Sequence, residues 1–175
     1  MRRATLDDLP PLPPLSPGYA LRTLQPAASA ALAVLLARAF DDATWNADRV
    51  QREFVDAPDV PATYVIAQGA QIVATASVQT PAGAPAGTGY VHWVGSDPQH
   101  RGLHLGAIVT LAVLHDLARR GMQAALLTTD DHRLAAITVY TQLGFAPHHT
   151  DDTHSARWDA VQAQLAARST HVSRE

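Results

Sequence analysis

Ser96-Asp97-Pro98-Gln99-His100-Arg101-Gly102-Leu103-His104-Leu105-Gly106 is the stretch that decides the fold. An apolar, β-branched-rich run, Tyr90-Val91-His92-Trp93-Val94, leads into it, and a segment apolar nearly all round as far as Leu114 leads out. A strand, a turn carrying glycine and arginine, then a helix start is a physical recipe for holding phosphate. The first N–H groups of a helix have no intrahelical acceptor, and the helix dipole adds partial positive charge there. Gly102 and Gly106 let backbone approach a ligand closely, and Arg101 supplies a fixed charge suited to phosphate oxygens.

Working outward, the helix is expected over about residues 105–120, with Gly121 ending it. A strand follows at Ala124 to Thr129, so strand–helix–strand predicts a right-handed parallel crossover. Asp130 or Asp131 is placed to cap the next helix. That helix carries Ala136, Val139, Tyr140 and Leu143 on one face and ends at Gly144. Upstream, Tyr19 to Leu24 alternates as a strand and Pro26 precedes a helix over about 27–40. Asp41 to Asn46 breaks that helix, and a second one runs over about 47–55. Thr63 to Ala67 and Ile72 to Gln79 read as a hairpin around Gly69. Beyond Phe145 only Ala146 to Thr150 suggests a strand, interrupted by Pro147. A helix over about 156–167 then puts Trp158, Val161 and Leu165 on one stripe, to cover a sheet edge or dock on a second subunit. The fold class is α/β: a central mixed sheet flanked by helices, with a C-terminal helix. Residues 1–17, dense in proline, are expected to form a surface arm, with PxxP recognition by a partner as the alternative, and 18–175 a single domain.

Two motifs at this separation resemble the GCN5-related N-acetyltransferase (GNAT) family. Arg101-Gly102-Leu103-His104-Leu105-Gly106 is similar to its Arg/Gln-x-x-Gly-x-Gly pyrophosphate loop. Val139-Tyr140 followed by Leu143-Gly144-Phe145 is similar to its Leu-Tyr-x-x-Leu-Gly-Phe helix end. The wording Asp-Pro-x-x-Arg-Gly with Leu-Gly-Phe is reminiscent of the mycothiol synthase branch and fixes no substrate. The resemblance implies acetyl-CoA as acyl donor, no metal, and a primary amine of a small molecule or peptide as acceptor, attacking directly in a ternary complex. It implies cofactor contacts at Val94, Ser96, Arg101, Gly102, Leu103, His104, Leu105 and Gly106, with a backbone N–H near Val94 polarising the carbonyl. It also implies Tyr140 as the acid that protonates the departing sulfur. A buried tyrosine satisfied by backbone is the other reading of Tyr140.

Several positions depart from the family pattern. Tyr90 stands where a glutamate base is common, which leaves His92, two residues on and on the same face, as the candidate base; an ordinary sheet histidine is the alternative. His104 replaces the middle glycine of the loop. Arg133 replaces a common asparagine, to bind a CoA phosphate or to stay solvated. These departures motivate a second reading, a CoA-binding sensor or partner subunit without turnover. For the acceptor, Phe40, Asp41, Asp42 and Trp45 suggest an aromatic–acidic pocket, with Tyr90 on its wall; core packing of Trp45 and capping by the aspartates is the alternative. His148 to His154 holds metal-ligand residue types, but on adjacent positions of a polar loop.

Composition agrees with this class. The chain of 175 residues is 47% hydrophobic with net charge −3 and no Lys/Arg run, so a nucleic-acid footprint is absent. It has no cysteine, which excludes disulfides, thiolate metal sites and a cysteine nucleophile. With neither a signal peptide pattern nor a membrane-length apolar run, a cytoplasmic protein without membrane partners is expected, with a homodimer possible through the C-terminal stripe.

Overall fold

The computed structural model describes residues 1–172. In chain order it forms β1 (Arg2–Arg3), β2 (Tyr19–Thr23), α1 (Ser29–Phe40), α2 (Ala47–Val50), β3 (Ala62–Gln68) and β4 (Gln71–Gln79). There follow β5 (Thr88–Ser96), α3 (Leu105–Arg119), β6 (Ala124–Leu126), α4 (Leu134–Gln142) and α5 (Thr153–Val172). One six-stranded sheet runs β1-β6-β5-β4-β3-β2. Every neighbouring pair is antiparallel except β5 and β6, the parallel pair spanned by α3.

Local chemistry explains the elements. The Ala/Leu-rich α1 follows a 3₁₀ turn begun by Pro26 and ends at Asp41, which takes a left-handed conformation (φ 52°). Asn46 caps α2 by accepting from the Arg49 N–H (2.9 Å), and the helix continues as a π turn over Gln51–Val55. Gly69 (φ 58°) closes the two-residue turn between β3 and β4. The long apolar helix α3 is buried along most of its length, with Val109, Val113, Leu114 and Leu117 fully enclosed. It rests on one sheet face, beside Ile66, Ala76, Val78 and Val91. On the other face, α1, α2 and the π turn enclose Leu32, Leu36, Trp45, Val50, Phe54 and Val65.

Four expectations change. The segment 1–17 is not simply a surface arm, because Arg2–Arg3 pairs with β6 and Leu6 is buried in the main core. Arg3 is itself buried; its guanidinium donates to the Leu143 carbonyl and pairs with Asp8. The strand expected at 146–150 reduces to one bridge, Arg2↔Ala146, since Pro147 cannot donate to a ladder. The helix α5 docks on α4 of the same chain, with Val161 against Leu134 and Ile137. Finally, neither Asp130 nor Asp131 caps α4: the N-cap position is Arg133, Asp130 pairs with it, and Asp131 pairs with Arg157.

Where α3 crosses β5 the Leu117 side chain packs directly on Gly89. A Cβ added there would lie 2.1 Å from Leu117 Cδ2. Gly89→Ala is therefore expected to cost about 1–3 kcal/mol by overpacking. Adding Leu117→Ala should produce a double variant less destabilised than the sum of the two changes, as read by urea unfolding.

Candidate active site

The site forms where β5 leaves its parallel neighbour. Pairing with β6 stops at Tyr90↔Leu126, while the other edge of β5 stays on β4 as far as Ala74↔Ser96. Against β4 the register moves from Ser77↔His92 to Thr75↔Gly95, so β5 carries one extra residue there. Trp93 is at φ 48°, a conformation a bulky residue rarely adopts. The bulge puts two consecutive side chains on the α1 side: the His92 and Trp93 rings lie 5.0 Å apart. Trp93 is held edge-on by Trp45 (4.8 Å) and Phe40 (5.4 Å).

Two hollows open from this split. One of about 500 Å³ is lined by Tyr90, His92, Trp93, Thr128, Asp130 and Gln79, among others. The other, about 700 Å³, is lined by the 94–107 turn, Asp41 and the first turns of α4. Phe40, Val94, Arg133 and Tyr140 border both.

The wider hollow contains the turn. Among the described residues, no acceptor takes the backbone N–H groups of Arg101 through Ala107; the first helical bond runs from Ile108 N–H to the His104 carbonyl (3.1 Å). Gly102 turns at φ 81° with open space around its α-carbon. His104 adopts the left-handed conformation (φ 53°) with an exposed side chain, so its imidazole is not packed over the amides from within the protein. Arg101, Gly102 and Leu103 are exposed, Gly106 is half-buried, and Leu105 is buried as the anchor of α3. Ser96 is exposed on the same wall, and Val94 sits in the bulge. A run of unpaired amides at a helix start beside an arginine is a fit donor set for a diphosphate.

An anchor that the sequence reading passed over holds this turn. Asp97 is 2% exposed. Its carboxylate accepts from Gln99 N–H (2.9 Å), Arg38 Nη1 (3.1 Å) and Gln71 Nε2 (3.2 Å), and its own N–H donates to the Val73 carbonyl (2.9 Å). The Gln99 amide first, then the Arg38 guanidinium, hold the carboxyl below the usual aspartate range against the opposing effect of burial. On the other side, His100 Nδ1 bonds the Tyr19 hydroxyl (2.9 Å). The Asp-Pro pair, an acid before a turn proline, was the available signal.

The remaining candidates divide between the hollows. Tyr140 is buried, its hydroxyl makes no hydrogen bond among the described residues, and burial pushes its pKa up to about 12 against the pull of Arg133. The His92 imidazole is pushed below its usual value by burial, with Asp59 and Glu53 pulling partly back. Tyr90 and His92 both face the smaller hollow. Arg133 is half-exposed; its guanidinium lies 4.6 Å from the Phe40 ring centroid and 3.5 Å from Asp130, between the hollows. The aromatic–acidic pocket is not assembled as expected. Trp45 is 6% exposed, wedged between Phe54, Trp93 and the Arg49 guanidinium, and lines neither hollow. Asp42 is occupied by Thr44 and Arg49, and Asp41 faces the phosphate-side hollow. Among the described residues no group of three or more His or acidic side chains is disposed to hold a metal.

The chain is similar to known proteins in sequence and fold. The profile described as Acetyltransferase (GNAT) family matches residues 29–145. A mycothiol acetyltransferase of Thermobispora bispora is 34% identical over 154 residues, which cover 83% of this chain and 52% of that protein. One from a Nocardioides species is 42% identical over 123 residues, covering 65% and 41%. The chain thus spans about half the length of the curated relatives it matches. A GCN5-related N-acetyltransferase from Sphaerobacter thermophilus shares the fold with TM-score 0.65 at 24% identity, over 85% of this chain and 47% of that one.

Asp97→Ala is expected to lower unfolding stability by about 2 kcal/mol, the scale of losing hydrogen bonds to a charged group. The sign of the pH dependence follows from the depressed folded pKa. The bonds contribute fully above the unfolded value near 3.8 and are lost as pH falls through the lower folded value. The stability gap between parent and variant, measured by urea unfolding across pH, should therefore close in acid.

Proposed function

Since the chain belongs to the acetyltransferase (GNAT) family, we propose that it is an N-acetyltransferase taking acetyl from acetyl-CoA to a primary amine of a small molecule. The observation that carries the reading is the run of unbonded amides from Arg101 to Ala107, in a hollow that meets a second one at Tyr140. The relatives named mycothiol acetyltransferases support acetyl transfer as the chemistry.

In this reading acetyl-CoA supplies the activated thioester. The loop amides, with Arg101, bind its diphosphate, and the free backbone of β5 beyond Tyr90 receives its pantetheine arm like an added strand. A backbone N–H at the Val94 bulge polarises the thioester carbonyl. The amine enters through the smaller hollow and attacks directly, without a covalent enzyme intermediate. His92, kept neutral by burial, accepts the amine proton directly or through water, and Tyr140 donates a proton to the leaving thiolate. A phenol raised to about 12 keeps its proton throughout the neutral range, so it is always available as a donor. Arg133, beside Tyr140, adds positive charge where the thiolate develops.

Tyr140→Phe should lower kcat by about 10²-fold or more, with little change in acetyl-CoA affinity, as measured by thiol release and calorimetry. A variant-independent rise in melting temperature with acetyl-CoA, but no thiol release from any amine, would instead support the non-catalytic CoA-binding reading. Because His92 titrates below 6.5, activity should persist as pH falls to that value and be lost only beneath it. His92→Gln should remove that acidic limb from the kcat/KM profile.

A further inference from the structure

The helix α5 lies outside residues 29–145, the stretch matched by the family profile. Its apolar stripe docks on α4, where Trp158, Val161 and Leu165 cluster with Leu134 and Ile137. Docking carries the later turns of α5 to the phosphate-side hollow, and Arg168 lines it.

Charge around this hollow runs against that of the chain. The protein has net charge −3. The hollow is lined by three arginines (Arg101, Arg133 and Arg168) and three histidines, against one carboxylate, Asp41. Some of these groups are committed. Arg133 is held by Asp130 and lies against the Phe40 ring, and His100 bonds the Tyr19 hydroxyl. The neighbouring acid Asp131 is taken by Arg157. Arg168 is different. It is exposed, and among the described residues its guanidinium has neither an ion pair nor a hydrogen bond. The wall built by α4 and α5 therefore offers one uncommitted arginine.

Coenzyme A carries three phosphoryl groups. Two form the diphosphate, for which the unbonded amides of residues 101–107 and Arg101 are the donor set. The third is a monoester on the ribose 3′ oxygen. It holds about −1.5 to −2 charge at neutral pH and three acceptor oxygens. Burying such a group would cost heavily in lost hydration. An exposed guanidinium binds it with two parallel N–H donors and leaves the remaining oxygens in water.

We propose that Arg168 binds the ribose 3′-phosphate of the coenzyme, so that the C-terminal helix sets the preference for CoA over dephospho-CoA. The inference rests on the acetyl-CoA reading and deepens it by naming the residue that selects the 3′-phosphorylated form. It also gives α5 a part in the site, supplied from beyond the two sequence motifs.

The test is calorimetry on the full chain at low ionic strength, where exposed charges are screened least. The parent should bind CoA about tenfold more tightly than dephospho-CoA, the scale of hydrogen bonds to a charged group. Arg168→Gln keeps a good helix former at an exposed position. It should shrink that ratio to about twofold, through weaker CoA binding and not through any change for dephospho-CoA. Arg52→Gln removes an equally exposed arginine that lines neither main hollow, and should keep the parental ratio. A parental ratio near one overturns the proposal. So does a ratio that survives Arg168→Gln, which would leave the arginine only its attraction to the helix dipole. A ratio lost equally in Arg52→Gln would mark a long-range field and overturn the contact. Each of these results leaves the acetyl-CoA reading standing. If neither coenzyme binds, that reading fails and the proposal fails with it.

Discussion

The structure depends on β5 being held on one edge and released on the other. Antiparallel pairing with β4 continues to Ser96, but parallel pairing with β6 ends at Tyr90. A strand whose edge groups are unpaired in the middle of a sheet is costly unless something else takes them, which makes the split a natural place for an extended ligand. The extra residue at Trp93 sharpens the split. Without it, strict alternation would turn the Trp93 indole toward α3, into a face already filled by Val91, Val109 and Leu114. The bulge turns it instead into the cage of Phe40, Trp45 and Phe54. A non-glycine residue at positive φ carries strain of about 1–2 kcal/mol, and the burial of a large aromatic surface there is enough to offset it.

The turn that follows inherits its position from that strand and draws its rigidity from side chains as well as from its first backbone bonds, Asp97 N–H to the Val73 carbonyl and His100 N–H to the Asp97 carbonyl. Asp97 fastens its beginning to β4 and α1, and His100 fastens its middle to β2 through Tyr19. The loop's backbone bonding ends at His100 and side chains do the rest, so the amides from Arg101 onward stay unspent and can donate to an anion. Binding then requires little ordering of the loop, and the ordering entropy has already been met in folding.

Much of this was legible. The helix α3 declares itself by an apolar run between a glycine-bearing turn and Gly121, and Tyr140 by its place on an amphipathic helix ending in Leu-Gly-Phe. What stayed hidden depends on contacts distant in sequence. Arg2–Arg3 has no strand signature of two residues' length; it becomes a strand only because β6 offers an edge. Trp45 reads equally well as a pocket wall or as core, and the choice is made by Trp93, whose reversed direction no local propensity announces. Asp97 was visible as a turn residue, but its partners Arg38 and Gln71 lie 59 and 26 residues away. His92 and Tyr90 were assignable to one face because the period of two holds up to the bulge and fails only after it.

The bridge between the two main hollows brings opposing electrostatic effects together. Burial destabilises the Tyr140 phenolate, and the Arg133 guanidinium favours it; burial is the larger effect, so the neutral phenol wins. Those two influences separate in the proposed reaction. The ground state holds a neutral phenol, for which the arginine offers little, whereas a departing thiolate places negative charge next to both groups. The arginine's attraction is then realised as charge develops rather than before, which is the condition for lowering a barrier instead of merely tightening binding. Phe40 fits the same logic: with the guanidinium 4.6 Å from its ring centroid, the cation lies between the hollows by a contact that leaves its N–H donors free of the ring.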